Sequence, residues 1–360
     1  MLLTLSTGIC LILVILYYLL FAGQIKPTHS SQDDPERKGL SVLIAARNEV
    51  ENLKKNIPAI LSQDYDRFEV IVLNHNSKDE TKEVLESFKD NRLRIIDLSK
   101  SSFPNKKSVI EEGIKMANYD HLVFTDADCL VTSNRWLAIT NRHLSSHEVV
   151  LGYSPYKKQV GFLNKLIRYE TLIIGASYLS FAKKGIPYMG VGRNMAYKKS
   201  LFVEGRGFES HLNILSGDDD LFIQEHATRE NTTVCIQKDH FTYSEAKNKW
   251  IDYWVQKKRH MSTGIHYTPK VKVILGLFPI SVILFWILLL SIIFIQENYY
   301  LASLFLIGKI GFHISALEKI SKVLGEKDLL VIAPLLELIT VIYNGFVAFS
   351  LLLSKNIEWK

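Results

Sequence analysis

The amino-acid sequence predicts an α/β protein: a mostly parallel sheet domain over residues 39–265, held between an apolar N-terminal helix and an apolar C-terminal region. Three observations predict it. Short apolar runs alternate with segments of helical spacing between residues 40 and 126, as βαβ units do. Uncharged stretches long enough to span a bilayer lie towards both ends of the chain. The polar and charged clusters fall directly after the apolar runs, where strands of a parallel sheet present their carboxyl ends to ligands.

The elements follow in order. LSVLIAA at 40–46 is an apolar run with polar borders, the pattern of a buried parallel strand. Val50, Leu53, Ile57, Ile60 and Leu61 then recur at helical spacing over 49–62. FEVIVLN at 68–74 is the second strand, followed by a helix at 79–89. RLRIIDL at 92–98 is the third strand, a helix covers 106–117, and HLVFTD at 121–126 is the fourth strand.

The flanks are read as membrane segments. Residues 1–25 carry no charged side chain and are long enough to cross a bilayer as a helix. No basic residue precedes that run and no small-residue cleavage site follows it, which disfavours a removed signal peptide. Lys26, Arg37 and Lys38 follow it, and QKKRHMSTGIHYTPKVK precedes the next uncharged run at 273–296. Positive charge favours the cytoplasmic side, so the middle domain is expected there, in an integral multi-pass protein of the plasma or inner membrane. The C-terminal region, 272–354, is expected to hold two to three helices. Its later apolar runs contain Lys309, His313 and Glu337, whose polar groups must face inward or lie at the interface.

Composition removes several classes. The net charge is +6, but the basic residues are scattered, so no nucleic-acid partner is expected. Cys10, Cys129 and Cys235 make no CxxC pair and no disulfide framework. There is no GxxxxGK[ST] and no GxGxxG, which disfavours a P-loop ATPase and a standard dinucleotide enzyme.

The clusters carry the chemistry. Asp126-x-Asp128 places two carboxylates after a strand, a donor set for Mg²⁺ or Mn²⁺ shared with substrate phosphates. A second copy, Asp64-Tyr65-Asp66, falls in a helix–strand loop and is expected to be exposed and inert. Asp218-Asp219-Asp220 stands before the helical run LFIQEHA. One acid suffices to cap a helix, and a general base would account for another. Asn74 to Thr81 reads as a turn in which Ser77 or Asp79 caps the next helix, a use compatible with phosphate contact. Gln256-x-x-Arg259 lies on an aromatic-rich helix with Trp250, Tyr253 and Trp254; the cluster suits a membrane belt, and Arg259 also suits a diphosphate.

In order and spacing these clusters resemble the inverting glycosyltransferases of family 2, which have a GT-A fold, and within them the membrane-embedded branch of poly-N-acetylglucosamine, cellulose and hyaluronan synthases and ceramide glucosyltransferase. The resemblance covers residues 39–264. It implies that Ala46, Glu49, Asn74, Ser77, Asp79, Lys106 or Lys107, Asp126 and Arg259 serve a nucleoside-diphosphate-sugar donor, with uridine as the usual nucleoside. It assigns Asp126 and Asp128 to the metal and Asp218 to the base. Gly192, Arg193, Asn194, Asp220, Gln256 and His260 fall on the acceptor side. The chain departs from the family pattern at Asn74 and His75, where acids are usual, at Gly217 for Glu, and at His260 for Trp. The loss of that Trp weakens processive polymer synthesis as a reading. A helix rises about 1.5 Å per residue, so residues 260–273 span only about 20 Å. The motif therefore lies near headgroups, and the expected acceptor is a lipid or lipid-linked glycan. The alternatives are a polysaccharide synthase subunit, a nucleotidyltransferase and a non-catalytic membrane adaptor. Sequence names no protein partner.

Overall fold

Leu2–Gln24 forms α1, one uncharged helix from end to end. The computed structural model describes residues 2–28, 35–98, 105–214 and 216–353. The described residues divide into two units: an α/β unit within Pro27–Lys157 and Phe181–Lys247, and a membrane unit built from residues 2–26, Lys158–Ser180 and residues 248–353.

In the α/β unit, β1 (Leu40–Ala46), α2 (Val50–Leu61), β2 (Phe68–Asn74), α3 (Thr81–Ser87), β3 (Leu93–Asp97), α4 (Lys106–Met116) and β4 (His121–Phe124) follow the expected alternation. They are succeeded by β5 (Leu130–Val131), α5 (Trp136–Leu144) and β6 (Val149–Gly152). After α6 (Phe162–Lys183), most of which belongs to the membrane unit, come β7 (Met195–Lys198), α7 (Lys199–Glu204), α8 (Asp220–His226), β8 (Thr232–Cys235) and β9 (Thr242–Tyr243).

The main sheet has seven strands in the order β3-β2-β1-β4-β7-β6-β8. All neighbours are parallel except β7, which runs antiparallel to β4 and β6. The expectation of a mostly parallel sheet holds. The reversed strand has a consequence for the site. Phe124 at the end of β4 pairs with Met195 at the start of β7. The residues leading into β7 therefore arrive at the edge where β1, β2 and β4 finish. The core beneath is aliphatic, with Val42, Ile44, Val70, Val72 and Val123 packed on Leu53, Ile57 and Leu85 of the flanking helices.

Among the described residues the membrane unit contains four helices long and apolar enough to cross a membrane: Leu2–Gln24, Pro269–Phe294, Tyr299–Leu324 and Lys327–Leu353. The last three contain α10 (Pro269–Phe294), α11 (Tyr299–Leu324) and α12 (Ala333–Leu353), and α9 (Trp250–Thr263) precedes them. Lys309, His313 and Glu337 all face inward and are at most 2 % exposed. Lys309 pairs with Glu337, and Tyr18 donates its hydroxyl to the same carboxylate. His313 stacks on Tyr18 at 4.7 Å and shares a hydrogen bond with Tyr169 of α6 at 3.1 Å. The charges thus satisfy one another, as apolar surroundings require.

Sequence reading passed over α6. Three consecutive side chains tie it into the membrane unit. Arg168 pairs with Glu326 and with Asp328. Tyr169 meets His313. Glu170 accepts from Lys257 at 2.6 Å, from Asn344 at 2.7 Å and from the Tyr253 hydroxyl. Its polar positions are not confined to one face, so its periodicity is faint in the sequence.

Candidate functional site

Lys106 opens α4, behind the Asn105 cap, whose side chain accepts from the Ser108 amide. Its ammonium lies 2.9 Å from Asp126 and 3.1 Å from Asp218, joining the end of β4 to the approach to α8. Burial works against that charge, but the two carboxylates outweigh it and hold the lysine protonated well above its ordinary range. Lys107, the next residue, is fully buried. It donates to the carbonyls of His211 at 2.5 Å and Ile214 at 2.9 Å, and burial pulls its pKa down to about 8. This corrects the expectation that placed Lys107 at the donor: a helix turns about 100° per residue, so only one of two adjacent lysines can face the carboxylates.

Ligand atoms of Asp126, Asp128 and Cys129 lie within 4.8 Å of one another. Burial and the neighbouring Asp126 push the Asp128 carboxyl above its usual range. Cys129 is buried, 3.1 Å from the Ser244 hydroxyl, and burial favours its thiol over its thiolate. Two carboxylates pressed together in this way form an oxygen donor set that fits a hard divalent cation. Asp64 and Asp66, the other copy of the pattern, are exposed on the α2–β2 loop.

The triple acid resolves into three situations. Asp219 caps α8: one oxygen accepts from the Asp220 amide at 2.8 Å and the other from the Gly192 amide at 2.9 Å. Burial, then the charges of Asp218 and Asp220, push its pKa up to about 7. Asp220 is 6 % exposed and accepts from the Leu221 amide at 2.8 Å. It is turned into its own helix start, which corrects its expected place on the acceptor side. Asp218 faces Lys106 and the small cavity lined by Asp126, Gly192, Met195 and Tyr197. Gly217, at φ +100°, sets the bend before it; a side chain there would collide with Leu221.

The loops after β1 and β2 are stapled together. Asn48 takes a left-handed backbone, its amide donating to Ser77 at 3.0 Å and its side chain accepting from the Lys78 amide at 2.7 Å. The Glu49 amide donates to Thr81, whose hydroxyl donates to Asp79. Burial lifts the Glu49 carboxyl, opposed by the Asn52 amide donating at 2.6 Å and reinforced by Asp128 and Asp126. Ala46 and Asn74 are register partners at the ends of β1 and β2, and both are buried.

Arg193 lies over the Tyr156 ring at 4.5 Å and donates to Ser244 at 3.3 Å. Its backbone carbonyl accepts from Thr125 and Thr242, which fastens the lead into β7 beside the end of β4. Asn194 is 1 % exposed. Its oxygen accepts from the Trp136 indole and its amide donates to the carbonyls of Tyr153 and His240. Its expected acceptor-side role is corrected to an internal brace. Gln256, Arg259 and His260 lie on α9 in the membrane unit. Sequence reasoning missed Tyr197, a buried phenol lining the cavity beside Asp218; it looks like an ordinary core aromatic of a strand.

Residues 41–206 match the model of Glycosyl transferase family 2. The chain carries a family 2 glycosyltransferase domain. Poly-beta-1,6-N-acetyl-D-glucosamine synthase of Staphylococcus aureus strain COL is 29% identical over 164 residues, covering 43% of this chain and 39% of that protein. The synthase of the same name from Staphylococcus epidermidis RP62A is 34% identical over 95 residues, 26% of this chain and 23% of that protein. The match thus spans about two-fifths of the length of the first of these relatives. A mannosyltransferase from Pyrobaculum calidifontis, solved in complex with GDP-Man and Mn2+, superposes with a TM-score of 0.62 at 17% identity over 96% of this chain and 97% of that one. That likeness carries the fold alone.

Proposed function

We propose that the protein is a membrane-embedded inverting glycosyltransferase that moves a sugar from a nucleoside-diphosphate sugar, a UDP-sugar first, to a lipid or lipid-linked glycan. The observation that carries this reading is the Lys106 bridge between Asp126 and Asp218. It gathers a phosphate-side acid and a candidate base around one cavity, while Asp219 and Asp220 are engaged by backbone amides. Asp218 takes the proton of an acceptor hydroxyl. That oxygen forms the new bond to the anomeric carbon as the bond to the diphosphate breaks, which inverts the centre. Asp126 and Asp128 would hold Mg²⁺ or Mn²⁺, which when bound stabilises the negative charge of the leaving diphosphate.

The test is nucleoside-diphosphate release by the purified full chain from UDP-N-acetylglucosamine, UDP-glucose and GDP-mannose, followed by partition of sugar label into a lipid extract. UDP release with label in the organic phase is expected. Transfer only to water-soluble acceptors would remove the lipid acceptor, and release from no donor would return the chain to the adaptor reading. A polysaccharide synthase subunit is the second reading, favoured by the names of the curated relatives and opposed by His260 where processive enzymes carry Trp. Labelled product that grows to a polymer would favour it.

Four apolar helices support integration in the membrane. The basic flank at residues 257–272 supports a cytoplasmic catalytic domain, in a plasma or inner membrane. A cysteine introduced at Ile265 should be labelled only after the cells are permeabilised; labelling in intact cells reverses the topology.

A further inference from the structure

Tyr197, the third residue of β7, is fully buried, with its ring stacked on Phe124 at 4.5 Å and packed on Phe222 of α8 at 4.5 Å. Its hydroxyl has no hydrogen-bond partner among the described residues. A phenol left this way in a core costs stability, so an orphan held by close packing asks for a reason. The cavity supplies one. Tyr197 lines it together with Lys106, Asp126, Gly192 and Asp218. Its enclosed space has room for about one water molecule, with polar groups on several sides to hold it.

Asp218 is the acid of this cluster with no second anchor among the described residues. Its Oδ2 meets Lys106 at 3.1 Å. Asp219 and Asp220, by contrast, are each oriented by backbone amides. Asp218 stands on a bend that Gly217 permits, ahead of the α8 cap, so little in its own segment orients the carboxylate. Around it stand Lys106 and Lys107 of α4, Asp126 beyond β4, Asp219 and Asp220 of its own segment, and Tyr197 of β7. Tyr197 is the neutral donor of this set. Burial first, and the charge of Asp218 next, keep its proton on, so it is a donor at any working pH.

We infer that Tyr197 is a positioning residue, its hydroxyl orienting the Asp218 carboxylate through one water in the cavity that both line. The role rests on the reading of Asp218 as the base. A bridging water is nearly as good as a direct hydrogen bond. A hydrogen bond to a charged group corresponds to roughly a tenfold effect or somewhat more on a rate that depends on it.

The experiment is a double-mutant cycle on the full chain in detergent, with UDP release from UDP-N-acetylglucosamine, or whichever donor the screen selects, as the rate. Tyr197→Phe keeps the ring and its packing and removes only the oxygen. It should lower kcat roughly tenfold, with donor KM within about twofold and no loss of Tm. In an Asp218→Asn background the same substitution should have no further effect. If Tyr197→Phe leaves kcat unchanged, whether or not Tm rises, the hydroxyl is a mere orphan and the inference is wrong. Additive losses in the double variant, or a fall in donor affinity matching the fall in kcat, also overturn it. Should Asp218→Asn keep the wild-type rate, the base assignment itself fails; an impaired Asp218→Asn beside a silent Tyr197→Phe sinks this inference alone.

Discussion

The two units handle charge in opposite ways. In the membrane unit the buried charged groups described above have close partners of opposite sign: Lys309 with Glu337, Arg168 with Glu326 and Asp328, Lys257 with Glu170. At the candidate site of the α/β unit like charges are bunched: Asp126 with Asp128, and Asp218 with Asp219 and Asp220, about the ammonium of Lys106. Matched pairs in apolar surroundings are what architecture requires, because an unpaired charge there is too costly. Acids held together against their repulsion, with carboxyls pushed upward as at Asp128 and Asp219, gain from a cation or a proton that comes from outside the chain. The comparison separates residues that hold the molecule from candidates for ligand binding.

It can be broken first at the bunched acids. Asp126→Ala with Asp128→Ala should bring nucleotide release below detection, and EDTA should do the same to the unaltered chain until Mg²⁺ or Mn²⁺ is restored. Full activity under chelation would end the metal assignment. The paired charges should fail differently. Glu337→Leu alone leaves Lys309 buried without a counter-ion, at a cost of about 3–5 kcal/mol, and should be seen as a large fall in folded yield. Lys309→Met together with Glu337→Leu should recover most of the loss. No recovery would mean that the pair does more than close a charge.

Arg259 carries a smaller expectation. Arg259→Lys keeps the charge and loses the planar fork, so turnover should drop with the fold intact. A fully active lysine variant would leave α9 as a membrane belt. The mildest effect is on pH. Asp219 titrates near 7 in the fold against an ordinary 3.8. The folded state therefore holds a proton that the unfolded state has released between those values, and stability from this group falls as pH rises through that window. Asp219→Asn should raise Tm at pH 8, and the gain should shrink towards pH 5. A gain that is equal at both pH values would show that the buried acid does not titrate there.

Much of the sheet was legible because each of the first four strands is an apolar run closed by polar residues; Leu40–Ala46 and Phe68–Asn74 match the reading residue for residue. Asp126 was legible because position after a strand separates it from the exposed Asp64 pattern. Lys107, Asn194 and Asp220 were misplaced for one reason. A motif names neighbours in the chain, whereas helix rotation and backbone amides decide which neighbour faces the site. The Arg168-Tyr169-Glu170 tie was not readable, since its partners lie more than 80 positions away in the chain.

By itself the sequence determined the alternation of strands and helices, the apolar spans, the absence of phosphate-loop and disulfide signatures, and the acids that follow strands. These depend on local periodicity and on the cost of putting charge in hydrocarbon, which are properties of short segments. Only the tertiary structure decided that β7 runs backwards and so delivers Gly192 to the edge where β4 ends. It alone decided that Lys106 rather than Lys107 meets Asp126 and Asp218, and that Tyr197 shares their cavity. Those outcomes depend on register between strands distant in the chain and on which side chain a packed core leaves facing the gap, and neither is encoded in any one segment.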